Sequence, residues 1–380
     1  MGLLLPLVLC ALATSYSAAF PAQQTTKNLF PYLSRGCNDS DVLSFAGFAL
    51  EDINKDRKDG YILSLNRVSD AREQRQDDEP GGSLFYLTLD VLETNCHVLS
   101  RKSWKDCEAR ALYETVYGQC KALFYINRPR RVLYTMAYNC TLRPVSRRSM
   151  QMMCPDCPSP RHIDDSDEKV VEAVTKSLEK YNKESTSKQY SLVEVTRTSR
   201  MQSMVGLTFV VEYLIKESPQ PCTKSMDSTC ALHSPDPVPV GLCHGSLKET
   251  TGKPIVNVNC DIFEPQDAAA EGEKAVKLPK VQDPEKKDAE AKRGPRGTVQ
   301  KLPELSVERP EQSQDASAVE EFPVHLDLTT DPEGQAIDVS FLFIGPLEEK
   351  LLVLPFPSRD QRSFECPGPA RNANDLVLPP

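Results

Sequence analysis

Residues 96–140 read CHVLSRKSWKDCEARALYETVYGQCKALFYINRPRRVLYTMAYNC and place cysteines at positions 96, 107, 120 and 140. Four later cysteines repeat this arrangement at Cys222, Cys230, Cys243 and Cys260. The middle gap is twelve residues in both sets, while the outer gaps are ten and seven residues before it and nineteen and sixteen after it. A preserved interior spacing indicates duplication of one disulfide-bonded module. The chain is therefore predicted to contain two tandem copies, separated by a linker that holds Cys154-Pro155-Asp156-Cys157-Pro158.

Each copy combines a helical pattern with a strand pattern. The first helix is predicted to begin near Asp39 or Ser40, either of which is suited to cap it, and the second opens 126 residues later at Asp165-Ser166-Asp167. Apolar residues at helical spacing are Val42, Phe45, Ala46, Ala49, Leu50 and Ile53 in copy one, and Val170, Val174, Leu178 and Tyr181 in copy two. Alternating apolar residues follow as Phe85, Leu87, Leu89 and Val91, and as Leu207, Phe209, Val211 and Tyr213. A helix followed by an antiparallel sheet predicts an α+β fold for both copies.

The N-terminal segment, the number of cysteines and two sequons indicate secretion. Residues 1–18 form a short apolar run followed by small residues, which is typical of a cleaved signal peptide, although no Lys or Arg precedes the run. Its removal would leave twelve cysteines, an even number that suits six disulfides in an oxidising compartment. Asn38 and Asn139 lie in N-glycosylation sequons. Residues 264–323 are rich in Pro and charge and are predicted to be largely disordered.

Charge and hydropathy exclude several classes of partner. The net charge of −9 argues against nucleic-acid binding, which requires a basic face. No segment after the signal peptide has the length of apolar sequence that a membrane helix needs, so no membrane partner is expected. The five histidines form no His-Glu-x-x-His motif, and no nucleophile elbow or phosphate loop is present. The chain is expected not to be an enzyme, to need no cofactor, to hold no metal of its own and to be a monomer.

The duplicated module with its linker resembles the fetuin family, which carries tandem cystatin domains. The resemblance implies cystatin-like domains at 28–142 and 161–262, a linker at 143–160, and a C-terminal region at 263–380 that is partly docked near 336–366. It also implies six disulfides: Cys37–Cys366, Cys96–Cys107, Cys120–Cys140, Cys154–Cys157, Cys222–Cys230 and Cys243–Cys260. Cys37 and Cys366 are also the two cysteines left over once the repeats and the linker are paired internally.

The linker motif carries the most specific chemical prediction. A disulfide between Cys154 and Cys157 would close a very short loop, while Pro155 and Pro158 restrict the backbone. Asp156 would then be a rigid, projecting carboxylate that is suited to the open ligand position of a catalytic zinc in another protein. The resemblance implies this role, because one branch of the fetuins inhibits astacin-family zinc metalloproteases, among them meprins and the cortical-granule protease that hardens the zona pellucida of the egg.

Other interpretations of the linker remain open on sequence grounds. The loop could act only as a clamp between two domains, with Asp156 in solvent. Cys154 and Cys157 could form a redox pair, although no βαβ unit surrounds them. Together with His162 they could also bind zinc.

Two alternative functions follow from related families. Cystatins inhibit papain-like cysteine proteases through a Gln-x-Val-x-Gly turn, and copy two carries Gln202, Ser203, Met204, Val205 and Gly206 at that place, with Met204 instead of Val. Copy one has Gly81 and Gly82 in the matching turn without the motif, and both turns are candidate contacts to a protease. Some fetuins carry mineral, which needs ordered carboxylates, and here Asp90 and Glu93 are accompanied by nearby arginines. These arginines argue against an ordered acidic array, and a plasma mineral or carrier glycoprotein is kept as the second alternative.

Overall fold

The computed structural model describes residues 32–76, 82–185, 188–203, 206–218, 239–263, 296–304, 324–328, 337–338, 350–358 and 363–379. The chain divides into two units, Met1–Leu33 and Ser34–Pro380, and the second unit contains both repeats. A two-residue strand, β1 (Leu33–Ser34), lies at their boundary. The predicted signal peptide and the Cys222–Cys230 pair lie outside the described residues.

The first repeat is a long helix packed on an antiparallel sheet. Helix α1 (Ser40–Asp56) is followed by strands β2 (Tyr61–Arg75), β3 (Gly82–His97), β4 (Val116–Asn127) and β5 (Val132–Pro144), which pair in that order. Asp39 is the N-cap of α1, because its side chain accepts a hydrogen bond from the backbone N–H of Asp41 at 2.8 Å. Three short 3₁₀ helices, Val98–Ser100, Trp104–Asp106 and Leu112–Glu114, connect β3 to β4.

The core of the first repeat lies between α1 and the sheet. The apolar helix positions that the sequence predicts are all buried there, as are the alternating strand positions Phe85, Leu87, Leu89 and Val91. The ring of Phe45 packs against those of Phe85 and Phe124, with centroids 4.8 and 5.6 Å apart. The 3.6-residue period of the helix and the two-residue period of the strand therefore identify correctly which residues face the core.

The second repeat has the same plan. Helix α3 (Glu168–Glu184) packs on a sheet of β6 (Tyr190–Ser203), β7 (Gly206–Glu217), β8 (Gly241–Lys248) and β9 (Ile255–Ile262), paired in chain order. Its core includes Val170, Val174, Phe209, Val211 and Tyr213, with Leu178, Tyr181 and Leu207 partly buried against it. Two helix-on-sheet repeats confirm the predicted α+β class.

Between the repeats runs a short linker helix, α2 (Arg147–Met153). It is followed by the disulfide loop and then by residues that meet β6, where Arg161 and Arg200 exchange backbone hydrogen bonds of 2.9 and 2.8 Å.

The C-terminal region contributes structure that its composition does not predict. Strand β10 (Arg296–Lys301) pairs in parallel with β5, within a stretch that was predicted to be largely disordered, and Val299 packs against the first core. A two-residue pair, β11 (Ile337–Asp338) with β12 (Lys350–Leu351), lies further along. Beyond it, Cys366 is bonded to Cys37, and Val377 is fully buried in the 3₁₀ helix Asp375–Val377. None of the helices described is long and apolar enough to cross a membrane.

Candidate functional site

The disulfide loop of the linker is a closed turn. The backbone N–H of Cys157 donates to the carbonyl of Cys154 at 3.1 Å, which is the bond of a four-residue β-turn. Pro155 occupies the second position of this turn, where its fixed φ is favourable, and Asp156 occupies the third. A Cys154–Cys157 bond of 2.05 Å closes the same four residues covalently. The sequence thus restricts this loop by three independent means.

Helix α2 attaches the turn to the first repeat. Ser146 caps the helix through the N–H of Ser149, and the N–H of Cys154 donates to the carbonyl of Met150 at 2.8 Å. Met150 is buried in a cluster whose other buried members are Leu92, Tyr117, Val145, Val324 and Val377. Cys154 and Cys157 are partly buried against this cluster. The sulfurs therefore face the protein body.

Asp156 faces solvent. Its side chain is exposed, as are those of Pro155 and Pro158. In the described part of the chain no hydrogen bond or ion pair is observed to the Asp156 carboxylate. An ionised carboxylate at the tip of a fixed turn has its oxygen lone pairs available to a donor or a metal on another molecule.

The linker disulfide argues against a metal site formed by Cys154 and Cys157, but it is also the oxidised state of a redox pair. Both sulfurs are used in the disulfide, so neither is a thiolate ligand. His162 lies instead beside β6, with Nδ1 3.3 Å from the carbonyl oxygen of Thr198. Within the described ranges, no group of three or more His, Cys, Asp or Glu side chains is arranged to hold a metal ion.

The two hairpin turns are only partly within the described residues. Gly82 begins β3, whereas Gly81, Met204 and Val205 lie outside them. Gln202 is exposed, and Ser203 pairs with Gly206 at the end of the β6–β7 hairpin. Gly206 has φ of +131°, and a Cβ atom there would lie 2.3 Å from the carbonyl oxygen of Glu249. This turn therefore requires glycine at its last position.

A buried cluster of charged side chains joins the two repeats, and no sequence pattern predicts it. Arg110 donates from Nη1 and Nη2 to the two carboxylate oxygens of Glu212, at 2.7 and 2.9 Å. The guanidinium of Arg110 also stacks over the ring of Tyr61 at 4.2 Å, and the Tyr61 hydroxyl donates to Glu212. Glu93, fully buried, pairs with Arg110, Arg197 and Lys301. This cluster links β3, β7 and β10 around one point.

The cluster shifts the protonation equilibria of its members. Burial alone would raise the pKa of Glu212, but hydrogen bonds from His244 and Arg110 hold it well below its usual range. Burial and the Glu212 carboxylate raise the pKa of Tyr61, so its hydroxyl remains a donor. His97, stacked on Phe263 at the same interface, has its pKa lowered to about 4, chiefly by burial. The imidazole is therefore neutral at physiological pH.

The remaining predicted features occupy varied environments. Disulfides join Cys96 to Cys107, Cys120 to Cys140 and Cys243 to Cys260, besides those already described. Of the two sequon residues, Asn38 is exposed, whereas Asn139 is half-buried and accepts a 2.9 Å hydrogen bond from Thr298 of β10.

The architecture defines a tandem cystatin-domain protein with a disulfide-closed linker. The model of the cystatin domain matches residues 33–128 and 158–251. The chain belongs to the fetuin family. It is 58% identical to human fetuin-B, with complete coverage of both chains, and 53% identical to mouse fetuin-B at the same coverage.

Solved structures of relatives include complexes. Mouse fetuin-B bound to crayfish astacin is 52% identical to this chain, with a TM-score of 0.73, and the match covers 93% of this chain and 99% of that one. Mouse fetuin-B in an inhibitory complex with human meprin beta is 51% identical, with a TM-score of 0.71, 90% coverage of this chain and 99% of that one.

Proposed function

We propose that this chain is a secreted, non-enzymatic inhibitor of astacin-family zinc metalloproteases, and that Asp156 ligates the catalytic zinc of the target. The observation that carries the proposal is the exposed Asp156 carboxylate on a turn closed by both a hydrogen bond and a disulfide. Relatives at 51–52% identity that form complexes with astacin and meprin beta support the choice of target class.

Preorganisation of the turn favours tight binding. A flexible loop loses conformational entropy when it enters a cleft, and ordering of this kind reduces affinity. Here Pro155, the Cys154–Cys157 bond and the packing of Met150 restrict the loop before it meets a partner. Binding through Asp156 therefore carries a smaller cost of ordering the loop.

The chemistry of the target suits a carboxylate. A catalytic zinc has three protein ligands and keeps one position for water or substrate, and Asp or Glu oxygens bind zinc at about 2.0–2.2 Å. Asp156 in that position displaces the water that would attack the substrate. Cys154, Pro155, Cys157 and Pro158 act by holding the carboxylate in place.

The hairpin turns are a second contact in this proposal. Gly82 and the exposed Gln202 lie at the ends of hairpins in the two repeats, and Gly206 at the start of β7 has a φ that favours glycine. Alanine replacements from Gln202 to Met204 that leave metalloprotease inhibition unchanged would reject this part.

The physiological setting is also a proposal. The N-terminal segment and the five disulfides described suit secretion through an oxidising compartment. We assign the egg cortical-granule protease and the meprins as targets, and restraint of premature zona pellucida hardening as the role in fertilisation. The family resemblance supports this assignment.

The arrangement gives less support to mineral carriage. Asp90 and Glu93 are fully buried and paired with arginines, Asp90 with Arg67 and Glu93 with Arg110. Carboxylates in that state cannot present an ordered array to calcium ions.

A titration against an astacin-type metalloprotease and against papain tests the proposal. Asp156→Ala should weaken metalloprotease inhibition by roughly 100-fold, or about 2.7 kcal/mol, because the zinc loses a charged ligand. Papain should be unaffected throughout. Asp165→Ala is the matched control, since Asp165 is an exposed carboxylate shortly after the same linker, and it should inhibit like the unmodified protein.

If inhibition survives Asp156→Ala, the inhibitory surface is assigned to the hairpins instead. An unmodified protein that fails to inhibit would leave the linker as an interdomain clamp.

A further inference from the structure

The linker helix presents an exposed thioether directly before the disulfide turn. Met150 is 4% exposed and anchors α2 in the buried cluster, whereas Met152 is 70% exposed. Two residues correspond to about 200° around a helix, so packing of Met150 directs Met152 away from the protein. Met153 is 52% exposed, and its sulfur accepts a hydrogen bond from Asn374 at 3.5 Å. Met152 is thus the more accessible of the two sulfurs.

Single apolar side chains on a surface are common and need no explanation. What distinguishes Met152 is its position relative to Asp156. Met152 lies four positions before Asp156, so their Cα atoms are at most about 14 Å apart, and the intervening helix end and turn shorten that distance. Both side chains are exposed, so a target that binds Asp156 brings its surface close to Met152.

Methionine suits such a contact. Its unbranched, polarisable side chain adapts to irregular apolar surfaces and is over-represented where one surface binds several partners. Mouse fetuin-B forms complexes with two different proteases, crayfish astacin and human meprin beta. A flexible thioether beside a rigid carboxylate combines a fixed zinc ligand with an adaptable neighbour.

We propose that Met152 packs against the apolar wall of the target's cleft, and that its oxidation to the sulfoxide by a peroxide weakens inhibition. This inference rests on the proposed function. In the reaction, the O–O bond of hydrogen peroxide breaks, one oxygen bonds to sulfur, and the other leaves as water after proton transfer. Sulfur loses two electrons and the peroxide gains them. The product is polar and no longer matches an apolar wall.

No free thiol in the described region competes with methionine for the peroxide, because every cysteine there is in a disulfide. Met136 and Met150 are buried. Met201 is half-buried in β6, so Met152 and Met153 are the exposed methionines within the described ranges.

The test treats the full-length protein with limited hydrogen peroxide, locates sulfoxides by peptide mass spectrometry, and measures the inhibition constant against an astacin-type metalloprotease. Oxidation at Met152 should raise that constant at least fivefold. Met152→Leu has no sulfur at this position, so peroxide should change its own inhibition constant less than twofold from the value of the untreated variant. Untreated Met152→Gln should be at least fivefold weaker. Thermal unfolding of each variant controls for folding.

Met153→Leu and Met204→Leu are the matched variants, because Met153 is adjacent and Met204 lies in the hairpin turn. Protection by either one, with Met152→Leu still sensitive, would overturn the assignment. So would full inhibition by protein that is oxidised at Met152. An unmodified protein that does not inhibit overturns both proposals. Inhibition that is lost in Asp156→Ala but is unaffected by oxidation of Met152 or by Met152→Gln overturns the Met152 proposal alone.

Discussion

Arg110 and Glu212 form a two-pronged ion pair between the repeats, with N–O distances of 2.7 and 2.9 Å. Their side chains are 1% and 6% exposed. Charges removed from water to this extent are tolerated only when their partners remain in place. The relative placement of the two hairpins and the linker therefore depends on a contact between residues far apart in sequence.

Loss of either charge should destabilise the fold. We expect Arg110→Ala or Glu212→Ala to lower the free energy of unfolding by about 3–5 kcal/mol, because each leaves the opposite charge buried without its two-pronged partner. Denaturant unfolding measures this change. The double variant Arg110→Met/Glu212→Leu should lose less than either single variant, and losses that simply add would contradict a mutual pair.

The stability of the protein should depend on pH through His97. Its folded-state pKa of about 4 lies below the ordinary value of 6.5, because burial disfavours the charged form. Arg57 and Lys301 lower it further, while Asp59 and Glu212 oppose them. The unfolded chain thus binds the proton first as pH falls, so this stability is complete above pH 6.5 and is lost towards pH 4.

The expected loss from His97 is roughly 3 kcal/mol over that window. Unfolding at pH 7.5, 6.5, 5.5 and 4.5 measures it. His97→Gln should remove the decline between pH 6.5 and 4.5, whereas a variant with an unchanged slope would assign the decline to other groups. Below pH 4.5, the unfolded chain also binds a proton at Glu212 while the folded chain does not, so both proteins should lose stability, since the pKa of Glu212 is depressed in the fold.

The linker disulfide should matter more for inhibition than for stability. A bond that closes four residues restricts the unfolded chain weakly, which corresponds to at most about 2 kcal/mol. We expect Cys154→Ser/Cys157→Ser to reduce the free energy of unfolding by no more than this, while inhibition of an astacin-type protease falls at least tenfold. A variant that inhibits normally would show that Pro155 and the packing of Met150 suffice to fix the turn.

Local sequence patterns predicted the helices and strands well, but they could not predict polar contacts between residues far apart in the sequence. Periodicity placed α1 and the core side of β3, because each residue's neighbours there are set by helix and strand geometry. Arg110 and Glu212 belong to no short-range pattern, so the sequence offers no sign that they meet. The prediction of a constrained loop around Asp156 needed only Cys and Pro, whose conformational effects are local.

Strand β10 was missed for a related reason. Its sequence, Arg296–Lys301, is polar and lies in a Pro-rich and charged stretch, so hydrophobicity gives no strand signal. It is added to the sheet through backbone hydrogen bonds to β5, which do not require an apolar sequence. Lys301 then reaches Glu93 at 3.0 Å, which ties the strand to the buried cluster.

The glycine of the β6–β7 turn gives the last prediction. Gly206→Ala should lower the free energy of unfolding by about 1–3 kcal/mol, because alanine disfavours a φ of +131° and its Cβ would meet the carbonyl oxygen of Glu249 at 2.3 Å. Gly252→Ala is the matched control in the same repeat, since a Cβ there meets nothing within 4 Å, and it should be neutral. Denaturant unfolding of both variants gives the comparison. If the hairpin also contacts the protease, Gly206→Ala should weaken inhibition while Gly252→Ala does not. Equal inhibition by the two variants would show that the geometry of this turn does not contribute to protease binding.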